Sequence, residues 1–107
     1  MVLTTSRINS FSEKLIEFTA KAASGIKFDR NKLAVIVGPT LLPTVNEVID
    51  VVSSIVSFRN PHGLLYCGLC RKGPFTKRGM YLHLIRIHRY DLKTLIAEEL
   101  EKRLRSM

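Results

Sequence analysis

The chain has 107 residues, 46% of them hydrophobic and 24% charged, with a net charge of +8. That apolar content suffices for one small domain, or a short module with an appended unit, and it excludes a disordered basic tail. The excess charge excludes little by itself, but it points to a polyanionic partner.

Residues 1–9 are expected to be loose. Ser10-Phe11-Ser12-Glu13 has capping-box spacing and opens a helix. Phe11, Leu15, Phe18 and Ala22 recur at helical intervals along one stripe. Gly25 is placed to end that helix. Lys32 to Val37 is a short apolar run that reads either as a buried strand or as a short helix opened by Asp29. Gly38-Pro39 stops it in both cases. Thr44-Val45-Asn46-Glu47 is a second capping box, and the helix it opens is expected to reach about Phe58. Val45, Val48, Ile49, Val52, Ile55 and Val56 face one way and Val51 widens the stripe, as in a helix covered on two sides. Packing within the chain explains the stripe, and so does a homodimer seam along residues 44–58. The apolar stretch from Leu33 to Phe58 is interrupted by Pro39, Pro43, Asn46, Glu47 and Asp50, which argues against a membrane helix. Met1 to Ser12 lacks the pattern of a signal peptide, so an intracellular location is expected.

Arg59-Asn60-Pro61-His62-Gly63 is rich in turn formers and marks a joint. The sequence therefore divides into a helical module at 1–60, a central unit at 61–90 and a C-terminal amphipathic helix at 91–107. In that last helix Asp91 is the expected cap, and Leu92, Leu95, Ile96, Leu100 and Leu104 form the stripe. The fold class expected is mainly α with a small α+β unit.

Cys67 and Cys70 are two residues apart, twelve residues separate Cys70 from His83, and four separate His83 from His88. Two thiolates at a tight turn and two imidazoles on one helix face make a tetrahedral zinc site. Gly68 eases the turn between the cysteines. Taken singly, the cysteines also read as a disulfide or as small buried residues, and the histidines as solvent-facing. The joint spacing, with Leu65, Phe75 and Met80 around it, favours one zinc ion held by Cys67, Cys70, His83 and His88. His62 stands outside the pattern and reads as a loop residue. With both cysteines committed to metal, no disulfide remains, which fits a reducing compartment.

Residues 65–88 resemble a ββα finger of the two-cysteine, two-histidine family. Leu65 stands two before the first cysteine and Met80 three before the first histidine, as that family's hydrophobic residues do. Phe75 stands one residue later than the family's aromatic, a shift placed around Gly73-Pro74. Tyr66-Cys67-Gly68-Leu69-Cys70 followed by Gly73-Pro74-Phe75 is also similar to single-finger proteins of archaea and their viruses. The resemblance covers about a quarter of the chain. It implies a short strand near Leu64–Tyr66, a poor second strand near Pro74-Phe75 and a helix from about Thr76 to His88.

Charge is concentrated on this unit. Residues 61–90 hold Arg71, Lys72, Lys77, Arg78, Arg86 and Arg89 and no acid, whereas residues 1–60 net +2 and residues 91–107 net zero. A basic unit between near-neutral flanks is a footprint for phosphate. In the finger family, bases are read by the residue before the helix and by its first two turns. Carried onto this chain, those positions are Thr76, Arg78, Gly79 and Leu82. Only Arg78 offers a strong contact to a base edge, so phosphate-dominated binding is expected. Leu82 and Ile85 face away from the zinc side, as in a helix partly covered by protein.

Two function classes follow. One is a DNA-binding transcription regulator; phosphate charge alone does not separate DNA from RNA. The other is a finger serving as a structural or protein-interaction unit in a nucleoprotein assembly such as a ribosome. An enzyme is not expected: four protein ligands close a zinc ion, and no nucleophile set, phosphate loop or small-molecule substrate site is evident.

Overall fold

The computed structural model describes residues 5–106, with side chains from Arg7 onward. The elements run α1 (Thr5–Ser24), α2 (Arg30–Val37), α3 (Leu42–Val56), β1 (Ser57–Arg59), β2 (Leu65–Cys67), α4 (Lys77–Ile87) and α5 (Arg89–Arg105). The molecule is mainly helical with one small antiparallel sheet.

Helix α1 is already formed at Thr5, so the segment 5–9 expected to be loose is helical; residues 1–4 lie outside the described residues. The reason is Ile8, one further apolar residue on the inner face, which is buried. Ser10 is exposed and lies inside the helix rather than at its start. The inner face is also rotated from the expected one. Ile8, Leu15, Ile16, Ala20 and Ala23 are buried together with Ser12, Thr19 and Ser24, while Phe11, Phe18 and Ala22 flank the core half-buried. Each buried hydroxyl donates to the carbonyl four residues back: Ser12 to Ile8 at 2.7 Å, Thr19 to Leu15 at 2.9 Å, Ser24 to Ala20 at 2.7 Å. Satisfied locally, these small groups bury at little cost and let neighbouring helices approach. The helix ends at Gly25, whose φ of +75° is easy only for glycine; Ile26 N–H reaches back to the Lys21 carbonyl and Gly25 N–H to Ala22.

The segment 32–37, ambiguous in sequence, is helical. Asp29 caps α2 by accepting from the Asn31 N–H at 2.8 Å. Helix α3 begins earlier than its apparent capping box. Pro43 sits in the first turn, where a missing N–H is harmless, and Thr44 lies within the helix. It also ends earlier, at Val56. Ser57, Phe58 and Arg59 leave it as β1 and pair antiparallel with β2 in the register Ser57↔Cys67, Phe58↔Tyr66, Arg59↔Leu65. The expected joint at 59–63 is the turn of this hairpin. The Asn60 side chain accepts from the N–H groups of His62 and Leu64, and Gly63 N–H donates to the Asn60 carbonyl.

One hydrophobic core runs through all three segments read from the sequence. Val45, Val48, Ile49, Val52 and Val56 are fully buried between α1 and α5. Burying that stripe therefore requires no second copy. Ile55, expected on the same stripe, is 48% exposed. On α5, Leu92, Ile96, Leu100 and Leu104 are buried as expected. Helix α1 also packs along α4, where Tyr81 and Ile85 meet the core half-buried. Glu13 of α1 pairs with Arg89 and Lys93 of α5, and Glu47 of α3 pairs with Arg103. No single helix among the described residues is long and apolar enough to cross a membrane.

Candidate metal centre

The two cysteines lie where β2 turns back towards α4. Cys67 closes the strand; its N–H donates to the Lys72 carbonyl at 2.9 Å, and Arg71 N–H donates to the Cys67 carbonyl at 2.9 Å. This tight loop aims both sulfurs the same way. It is also pinned to the helical layer, because Gly68 N–H donates to the Val56 carbonyl at 2.8 Å. A Cβ on Gly68 would lie 2.2 Å from the Ile55 carbonyl oxygen, so no larger residue fits.

The histidines come from the far end of α4. Thr76 caps this helix by accepting from Gly79 N–H at 3.0 Å. Met80 and Leu84 bury one side of it, and His83 and His88 are presented towards the cysteines. Phe75, bridged to Leu65, stacks on the His83 ring with centroids 4.7 Å apart and fixes its plane. The aromatic displaced by one residue in sequence thus still reaches the site.

Cys67, Cys70, His83 and His88 each offer one ligand atom, and all four atoms lie within 4.8 Å of one another. Cys70 Sγ and His83 Nε2 are 3.3 Å apart. His88 Nδ1 meets Asp91 Oδ2 at 2.9 Å, while His88 Nε2 is buried without a hydrogen-bond partner. An orphaned buried nitrogen is costly unless something fills its lone pair. Its position facing two thiols and a second imidazole is what a metal ion at the centre would require. Asp91, read from sequence as a helix cap, is instead the carboxylate that holds the His88 imidazole; α5 carries no side-chain cap and starts directly from His88. The sequence signal for this role was its place three residues after His88.

The ionisation pattern agrees with a cluster of mutually perturbing ligands. Burial pushes the Cys67 thiol up, beyond what the N–H groups of Cys70 and Leu69 offset. Burial also raises Cys70, but the adjoining His88 imidazole, the Lys72 backbone N–H and Cys67 outweigh it, and its pKa falls. His83 is lowered, first by burial and then by the charges of His88 and Lys72.

The expected nucleic-acid residues fall around this centre. Arg71 and Lys72 are exposed on the cysteine loop; Lys77, Arg78 and Arg86 are exposed on α4. Lys72, Lys77, Arg78 and Arg86 make no ion pair among the described residues. Arg89 differs, because Glu13 Oε1 lies 3.3 and 3.2 Å from its Nε and Nη2. The Thr76 hydroxyl is engaged as a cap, and Leu82 is half-buried. His62 is exposed in the hairpin turn, away from the cluster. No protein-family model matches the chain, and neither does any curated protein or solved structure.

Proposed function

We propose that this chain is a zinc-stabilised finger protein of the two-cysteine, two-histidine type that binds nucleic acid through its phosphates, with DNA regulation as the role such binding would serve. Two sulfurs and two imidazole nitrogens suit zinc in a closed, structural coordination with no open position for catalysis. Bound there, zinc would supply structural stability, with Cys67, Cys70, His83 and His88 as its ligands.

The observation that carries the nucleic-acid reading is the distribution of charge. Residues 51–90 contain no Asp or Glu, and four cations around the centre have no acidic partner among the described residues. Base reading is poorly supported, since Thr76 is engaged, Gly79 has no side chain and Leu82 is half-buried. Phosphate contact then dominates affinity. The second reading, an interaction unit within a nucleoprotein assembly, is favoured by Ile87 and Tyr90, which are 65% and 80% exposed beside the centre.

The test is the salt dependence of binding to duplex DNA and to RNA. Contacts from Lys72, Lys77, Arg78 and Arg86 should give a slope of log affinity against log salt of about −3 to −4 on duplex DNA. Changing Arg78 and Arg86 to Ala should flatten it by about two units and weaken all duplexes alike. Absence of salt-dependent binding to either polymer would leave the interaction-unit reading.

A further inference from the structure

The outer face of the β1–β2 hairpin bears an aromatic pair that the metal centre does not use. Phe58 and Tyr66 are directly opposed in the strand register, so their side chains leave the same face of the sheet. Ser57, Arg59, Leu65 and Cys67 leave the other face, where Leu65 and Cys67 are buried. The two rings are nearly parallel, 14° apart, with centroids separated by 5.6 Å. Tyr66 is backed by Gly73, whose α-carbon approaches the ring so closely that a Cβ there would lie 2.6 Å from Tyr66 Cδ1. Phe58 is 38% exposed, and the Arg71 guanidinium stands over its ring, 5.3 Å from the centroid.

Cations border this surface. Arg71 and Lys72 are exposed on the adjacent loop. Acids are missing from the whole of residues 51–90. A π-face with an arginine above it and positive charge on its borders is chemically matched to a base and its flanking phosphates. In a duplex the base faces are hidden in the stack, so the matching ligand is unpaired.

We infer that the Phe58–Tyr66 face, with Arg71 and Lys72, is a stacking site for an unpaired base of single-stranded nucleic acid. The base lies on the exposed Phe58 ring and displaces the end of Arg71 outward, where the guanidinium covers the base or holds its phosphate. This inference rests on the phosphate-binding reading above and adds to it the form of nucleic acid bound.

The experiment compares the zinc-loaded full chain on labelled oligothymidylate and on an abasic strand of equal length, by fluorescence anisotropy over a salt series. The base-bearing strand should bind about 5- to 150-fold tighter, the factor one base–aromatic stack supplies. Phe58→Leu keeps an apolar side chain against Tyr66 but removes the π-face. It should bring the ratio close to one and leave the abasic affinity and its salt slope unchanged. Phe58→Trp should preserve or enlarge the ratio. A wild-type ratio near one overturns the inference by itself, whatever the variants do, and so does a ratio that Phe58→Leu leaves intact. Salt-dependent binding with a ratio of one removes only the stacking site; binding to neither strand removes the phosphate reading as well. Phe58-dependent binding of polyglutamate in place of both strands would assign the face to an acidic peptide and overturn the inference.

Discussion

Asp91 Oδ2 lies 2.9 Å from His88 Nδ1. An acid at the start of a helical stripe has the appearance of a cap, and the chain places it three residues after His88. In the fold α5 follows α4 almost without a break, so the carboxylate lies beside the imidazole instead of at a free helix end. Its hydrogen bond to Nδ1 leaves Nε2 as the lone-pair donor. Asp91→Asn should therefore weaken zinc binding by about 10- to 100-fold, the usual effect of losing such an orienting carboxylate, with the helices retained. Competition against a chelator at pH 8 measures it. That pH matters because of the sign of the His88 shift. Burial lowers the His88 pKa, but the Asp91 hydrogen bond and the charges of Cys70 and Asp91 outweigh it, and the net shift is upward. In the metal-free chain, the stabilisation from protonated His88 is fully present below the ordinary histidine pKa. It is lost as pH rises through the raised value. Metal binding needs the neutral ring and runs the opposite way, so occupancy falls on acidification. Above that range, the orientation of the ring is measured without competition from the ring's own proton. An unchanged affinity for Asp91→Asn would reduce its contact with His88 to a surface ion pair.

At the scale of elements, what the sequence disclosed depended on how local the cause was. The ligand spacing stands in the sequence itself, and the Gly25 stop and the α5 stripe are set by neighbours within a turn or two; the Asp29 cap was legible only as one of two alternatives, since 32–37 also read as a strand. The starts of α1 and α3 were not legible. In α1 the deciding residue, Ile8, lies outside the apparent capping box, and three buried hydroxyls look polar until their carbonyl partners are known. In α3, Pro43 outweighs the Thr44 capping pattern. Strand β1 was illegible for a different reason: three residues do not make a period, and Ser57–Arg59 are extended because β2 supplies their partners. Its exit from the helix also turns Ile55 outward while Val52 stays inside. The two residues thus provide a matched test of the α3 face. Val52→Asp buries a charge without a partner and should destabilise by several kcal/mol, whereas Ile55→Asp should shift stability by less than about 0.5 kcal/mol. Denaturant melts of the two variants would check this; equal losses would mean that both positions are buried, for instance at a seam between two copies.

The whole molecule is held by one core with the Cys67, Cys70, His83 and His88 cluster at its edge. Cys67, Leu65, Met80 and Leu84 belong to the same cluster as Leu15, Val52 and Ile96, and Gly68 is hydrogen-bonded to the end of α3. Structural zinc contributes about 10–16 kcal/mol of apparent free energy in isolated fingers, comparable to the entire stability of a small domain. Chelation should therefore lower the melting temperature of the whole chain in a single cooperative transition followed by circular dichroism. Loss confined to the signal of α4, with the remaining helices melting as before, would instead show that the centre folds separately. Glu13 tests a second long-range link. It joins α1 to Arg89 and Lys93 through pairs that are half-exposed on both sides. Such pairs contribute about 0–1 kcal/mol, so Glu13→Gln should scarcely change the melting temperature. It does, however, free two cations next to the acid-free stretch at 51–90 and raise the net charge by one. If Arg89 then reaches phosphate, the salt slope on duplex DNA should steepen by about 0.9, and affinity at low salt should rise with it. A variant that melts as the wild type but binds with the same slope would place Arg89 outside the phosphate-contacting surface. The active cations would then be those on the cysteine loop and the exposed side of α4.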